Sequence, residues 1–307
     1  MNFDSIARQF GDRYDRNARL YPALLACLPF IVTVVALYGN SLGVLGSTIS
    51  SIVLSFGGLF LLSDVARNRG KLAEKKLWEK WGGPPSTEVM RHANTTIDPH
   101  TKARCHQFLS AQLGAPLPDA QTEAADPAAA DLNYHSAGRW LVSHTADGKK
   151  FPLLKNDNIT YGFRRNSYAL RHLGMLVAIA SLTWTCLHKG VANLTARLVT
   201  GPVEDWFSTG EWLAAAVSVA MLCIWFWYFT EEMVQAAGRS YAEKLMLACE
   251  TMAKSSRSRS SARAKNDDAI TASSTVNALR EEAETRNAPK KRARKSKQAN
   301  ATNETAM

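Results

Sequence analysis

Four apolar runs alternate with charged ones along the chain, and that alternation predicts where each part sits. Leu20 to Tyr38 carries no charge, and neither do Gly43 to Leu62 and Trp212 to Phe229. About 20 apolar residues in α-helix cross a hydrocarbon layer roughly 30 Å thick, so these three runs are long enough outright. Leu173 to Leu187 is shorter. It spans only if Arg171, His172 and His188 reach out to the two interfaces.

The link Tyr38-Gly39-Asn40-Ser41-Leu42 is short, which predicts an antiparallel hairpin from the first two runs. The fold class expected is therefore an all-α membrane protein with four transmembrane helices. They form two hairpins, and a helical cytoplasmic domain is inserted between helices 2 and 3. The parts divide as an amphipathic lead-in over 1–19, a hairpin over 20–62, the inserted domain over 63–168 and a second hairpin over 169–229. A further helix over 230–253 and a basic tail over 254–307 complete it. No cleaved leader is expected, because the first run is long enough to span and the next follows at once.

Lysine and arginine near the helix ends set the orientation. Arg8, Arg13, Arg16 and Arg19 precede the first run, and Arg67, Arg69, Lys71, Lys75 and Lys76 follow the second. Arg164, Arg165 and Arg171 precede the third, while Arg239 and Lys244 follow the fourth. The opposite side holds Lys189 and Arg197, offset by Glu204, Asp205 and Glu211. Both termini and the inserted domain are thus expected on the cytoplasmic side, in the cell membrane. Tyr21, Trp225, Trp227 and Tyr228 toward one surface, and Tyr38, Trp184 and Trp212 toward the other, agree with aromatic rings settling at headgroup level.

Local signals fill in the segments. Phe3, Ile6, Ala7, Phe10 and Tyr14 recur at helical spacing among arginines, as in a helix lying on the membrane surface. Ser47, Ser51 and Ser55 repeat every four residues, a face suited to close helix packing or, as the competing reading, to lining a pore. Trp81-Gly82-Gly83-Pro84-Pro85 ends the helix leaving the second span. Asp98-Pro99 and Asp126-Pro127 each place a capping carboxylate before a proline at the first helical position. The first of these helices is expected to stop at Gly114 and the second by Asp147-Gly148. Val234, Gly238, Tyr241, Leu245, Ala248 and Met252 form a heptad-like, coiled-coil seam, too short to stand alone and so expected to pack on the inserted domain. The tail beyond Lys254 has no aromatic residue and is expected to be disordered.

Composition adds one thing. The net charge of +10 and pI near 9.4 are concentrated at the inner surface and in the tail. Anionic lipid headgroups are the expected partner, and nucleic acid the less economical one. The sharpest basic cluster is Arg164, Arg165, Arg171 and His172, suited to an anionic lipid or ligand or simply to anchoring.

Chemistry is hard to find. His92, His100, Cys105, His106, His135 and His144 lack a metal-ligand spacing, and no metal or cofactor is expected. Gly148-Lys149-Lys150 is too short to suggest phosphate binding. Five widely spaced cysteines suggest reduced thiols rather than a disulfide framework. With no catalytic motif, the sequence favours a non-enzymatic scaffold or sensor that recruits a cytoplasmic protein, self-associating through the serine face. A gated channel or permeabilising effector, and then a membrane-bound enzyme, are the alternatives.

Overall fold

The computed structural model describes residues 12–55, 58–202 and 206–255; side chains at 40, 42, 44–57, 59 and 200 lie outside that description. Ser47, Ser51 and Ser55 fall among the latter, as do most side chains of the run from Gly43 to Leu62. Every regular element among the described residues is a helix. Residues 1–251 form one compact unit and 252–307 a second, of which 252–255 end the last helix.

A π-helical turn, Asp15–Leu20, leads into α1, Tyr21–Ser55. α1 runs on through Pro29 and through the expected hairpin link. The break falls on Gly43, whose φ of 26° is strained for any residue with a Cβ. α2, Gly58–Trp81, ends where Gly82 and Gly83 take positive φ and Pro84 follows. Short α3, Pro85–Met90, opens the polar head.

Carboxylates cap the helices of that head. Asp98 accepts from the Thr101 N–H at the start of α4, Pro99–Leu113, which closes on left-handed Gly114. Asp119 caps α5, Ala120–Ala125, and Asp126 caps α6, Pro127–His144. Both Asp-Pro signals thus mark helix starts.

α7, Pro152–Leu187, is 36 residues long and passes without interruption from the head into the apolar run. It begins well before Tyr161, earlier than the apolar pattern alone requires. The amphipathic α8, Val191–Thr200, connects it to α9, Thr209–Cys223, which ends in a π-helical turn, Ile224–Tyr228. α10 spans 231–255.

Three helical stretches are long and apolar enough to cross a membrane: Asp15–Gly39, Pro152–Leu187 and Thr209–Tyr228. The weakest of the expected spans therefore lies within one 36-residue helix of sufficient length and hydropathy. Phe30, Val35, Leu176, Ile179 and Leu213 face outward from these helices and are exposed, as lipid-facing positions should be. Inward, Ala23, Ala26, Leu170, Met221, Trp225 and Phe229 form a common core with Ala66 of α2.

Contacts fix the directions of the helices. Ala23 packs in the cluster with Leu170, while the Tyr38 hydroxyl accepts from Trp184 Nε1 at 3.1 Å, so α1 and α7 run parallel. α9 runs against both. Its start lies at the Tyr38 end, where a Cβ on Gly210 would meet the Ala36 carbonyl oxygen at 2.7 Å. Its far end brings Trp225 onto Gly174.

Trp225 is fully buried, and a Cβ on Gly174 would come within 2.4 Å of its Cε2. A large ring fits only because the facing residue has no side chain. Gly174→Ala is expected to cost about 1–3 kcal/mol through overpacking and to lower the melting midpoint in detergent. Gly39→Ala, with nothing within 4 Å of the added methyl, is the control. Equal midpoints for the two variants would contradict this packing.

Candidate functional site

Below the apolar run, α7 meets α2, α10 and the turn before α1 through buried polar groups. Arg165 Nη1 lies 2.9 Å from Glu74 Oε1, with the two side chains 9% and 15% exposed. The same carboxylate oxygen accepts from the Tyr161 hydroxyl at 2.8 Å, which in turn accepts from Trp78 Nε1 at 3.3 Å. Arg165 Nε donates to Asn166 Oδ1 at 3.1 Å, and Asn166 Nδ2 donates to the Ala18 carbonyl at 2.6 Å. Asn166 is fully buried. Removing two charges from water costs several kcal/mol each, so the set holds only with every partner in place.

Two glycines make room for it. A Cβ on Gly70 would sit 1.7 Å from Asn166 Oδ1, and one on Gly162 would meet the Ala18 Cβ at 2.9 Å. Helices α2 and α7, and the turn before α1, can therefore approach closely enough to share hydrogen bonds.

α10 closes the fourth side. Tyr241 stacks parallel to Tyr161 at 6.2 Å, and Gly238 lies against Pro85 and Tyr161. The seam predicted there thus packs on the chain itself through Val234, Gly238, Tyr241 and Leu245. Ion pairs line its edges: Lys80–Glu231 at 2.6 Å, Lys244–Asp157 at 2.7 Å, Arg239–Glu88 at 3.0 Å and Arg104–Glu250 at 2.5 Å. Solvent screens exposed pairs of this kind, so they fix register more than stability.

The four residues of the predicted basic cluster have separate surroundings. Arg165 turns inward to Glu74, and Arg164 Nη1 donates to the Met233 carbonyl at 3.3 Å. Arg171 lies over the Tyr168 ring at 4.9 Å and approaches exposed His172 at 3.4 Å. Arg171 and His172 are thus together, and Arg165 is apart from them.

A second polar centre, at the other end of the spans, was missed by counting charges. Ser208 and Glu211 form a reciprocal capping box at the start of α9, a spacing legible in the sequence. Glu211 is 1% exposed and is met by basic side chains of the α7–α9 connection. Its Oε1 lies 2.9 Å from Lys189 Nζ and 3.2 Å from His188 Nε2, and its Oε2 lies 3.4 Å from Arg197 Nη1. Arg197 also holds the Trp206 carbonyl at 3.0 Å, which ties down the connection.

The head has its own buried polar core. Tyr134 donates to Glu123 at 2.7 Å, and the His92 backbone N–H donates to the same oxygen at 2.8 Å. Burial opposes ionisation of Glu123, yet these two donors hold its carboxyl below its ordinary value. His106 packs edge-on to His92 at 5.0 Å, with its Nε2 buried and unpartnered. Burial, then the charge of His92, pushes His106 down to about 4. His144 stacks on Trp140 at 3.9 Å. Among the described residues no group of metal-ligating side chains converges, and the cysteines are free thiols. Cys105 Sγ faces the Met246 carbonyl at 3.6 Å.

No protein-family model matches the chain, and neither a curated protein nor a solved structure is significantly similar to it.

Removing one member of the buried pair leaves the other charge stranded. Arg165→Met and Glu74→Leu are each expected to destabilise by about 3–5 kcal/mol, while the double variant recovers much of that loss. Additive losses in the double-mutant cycle would show that the pair does not interact.

His106 gives a pH dependence. Its folded value lies below the unfolded value of about 6.5. Its stabilisation is therefore complete above pH 6.5 and lost as the pH falls toward 4, by an amount on the order of 3 kcal/mol. Hydrogen exchange of α4 and α6 should rise over that window, and His106→Gln should flatten the rise.

Proposed function

We propose that the chain is a multi-pass membrane protein whose cytoplasmic helical head works as a non-enzymatic scaffold or sensor, docking a protein partner at the inner membrane surface. The observation that carries this reading is the junction. α7 continues from head to span without a break, and the Glu74–Arg165–Asn166 set ties it to α2 and to the backbone before α1. A displacement of the head is transmitted into the spans because no flexible linker absorbs it.

The path of the chain supports a fourth crossing. α1 carries it to the Tyr38–Trp184 end, yet Ala66 lies back beside Ala23 and Leu170. The apolar run from Gly43 to Leu62 supplies the return, as two hairpins require. The arginine and lysine bias supports a cytoplasmic head and cytoplasmic termini, and the cell membrane is the location proposed. Arg171, His172 and the basic tail meet anionic headgroups there. The face bearing Ser47, Ser51 and Ser55 serves association between copies.

A conducting protein is the competing reading. It is favoured by the hydroxyls of Thr33 and Ser181, 2% and 3% exposed and both without a partner inside the bundle. A water path would satisfy them.

Ion flux in liposomes separates the two. The scaffold reading expects proton and potassium leak at the level of empty vesicles, unchanged by Ser181→Val or Ser51→Leu. A sustained leak abolished by either substitution would establish a channel in its place.

A further inference from the structure

Where the turn before α1 meets the start of α7, an open cleft of about 560 Å³ is lined by the basic side chains of Arg13, Lys149 and Lys155, by the carboxylate of Asp147, and by Pro152 and Ile159. We propose that this cleft binds a soluble phosphorylated anion of about mononucleotide size.

Three cations line it from two segments distant in sequence: Arg13 before α1, and Lys149 and Lys155 on either side of the start of α7. The short Gly148-Lys149-Lys150 run acquires its company only in the fold. The Lys155 stem lies directly against Gly148. The lysine stem thus lies across the turn that carries Lys149.

Two acids, Asp147 in the lining and Asp12 beside Lys155, are engaged by other groups. Asp147 accepts from the Lys149 backbone N–H at 3.0 Å and pairs with Lys150 at 3.7 Å. These contacts, the Lys149 backbone N–H first, hold its carboxyl below its ordinary value. Asp12 accepts from the Tyr14 N–H and stands 3.4 Å from Lys155 at the cleft's edge. Among the described residues Arg13 and Lys149 have no ion-pair partner.

Size and depth narrow the ligand. The volume falls within the range of small-molecule sites, about 300–1,000 Å³. Pro152 and buried Ile159 supply an apolar wall, against which a base or a carbon skeleton can lie while phosphate oxygens meet the cations. Ile159 precedes the apolar run at Leu173 by a stretch of helix ~21 Å long. That exceeds the depth of the headgroup layer, roughly 5–8 Å. On the α1 side, however, Arg13 precedes the apolar run at Leu20 by only about 10 Å of helix. A dissolved anion is the occupant proposed, and binding to phosphoinositide vesicles is the measurement that separates it from a lipid phosphate. A bound anion would join Arg13 to α7, bracing the entry to α1 against the head. The proposal does not depend on the scaffold reading, because it concerns occupancy alone and holds equally for a conducting protein.

The test is equilibrium dialysis of ATP, and separately of inorganic pyrophosphate, against the full chain in detergent. The wild type is expected to bind one equivalent saturably, with affinity falling as salt rises. Lys149→Glu combined with Lys155→Glu should weaken binding at least tenfold, and Arg13→Gln alone should weaken it several-fold, with melting midpoints unchanged. Binding retained in the double variant would belong to other basic stretches, such as the tail, and would overturn the assignment. So would the absence of saturable binding to either probe. In a parallel arm with vesicles containing a phosphoinositide, equal or stronger cleft-dependent binding to the lipid would overturn the claim of a dissolved ligand.

Discussion

Burying a charge pair where polar head meets apolar helix is the constraint on which this architecture turns. Arg165 and Glu74 are close and well shielded, and each needs the other because neither has enough water to stand alone. Their geometry requires α2 and α7 to keep a fixed rotation about their axes. Asn166 then reaches the Ala18 carbonyl, and the turn before α1 is locked into the same register. Gly70 and Gly162 are consequences of this, since a side chain at either position would hold the helices too far apart for these hydrogen bonds.

The far end solves a similar problem differently. Glu211 uses its local capping box to fix its own orientation and then collects Lys189, His188 and Arg197 around it. There a buried carboxylate is met by basic side chains at the end of α7 and on the connecting segment. At the junction the charged partners sit on the long helices α2 and α7. Between the two ends, contact relies on shape, as Gly174 against Trp225 illustrates.

Periodicity and capping made much of the helical layout legible. Asp98-Pro99, Asp126-Pro127 and Gly114 are local signals whose physics is complete within a few residues, and helices begin and end on them. The seam of α10 was legible as an apolar stripe expected to pack on the inserted domain, although the residues it meets there, Pro85 and Tyr161, were not. Arg165 shows why the site was harder. On sequence it belongs with Arg164, Arg171 and His172 as a patch of positive charge. Its actual surroundings depend on Glu74, which lies 91 positions away. Glu211 was visible as a charge, and its capping box as a spacing, but the cations around it assemble only when α7 and α9 lie side by side. The cleft near Gly148 has the same origin, in a contact between the two ends of a long stretch of chain.

The unbroken rod of α7 ties head and span together by phase as well as by length. Each residue of α-helix advances the azimuth by about 100°. Insertion or loss of a single position between Ser167 and Gly174 would therefore swing one end away from its partners whichever end stayed put. Sequence drift in this stretch is free to exchange outward-facing side chains, yet its residue count is held as strictly as the pitch of a screw.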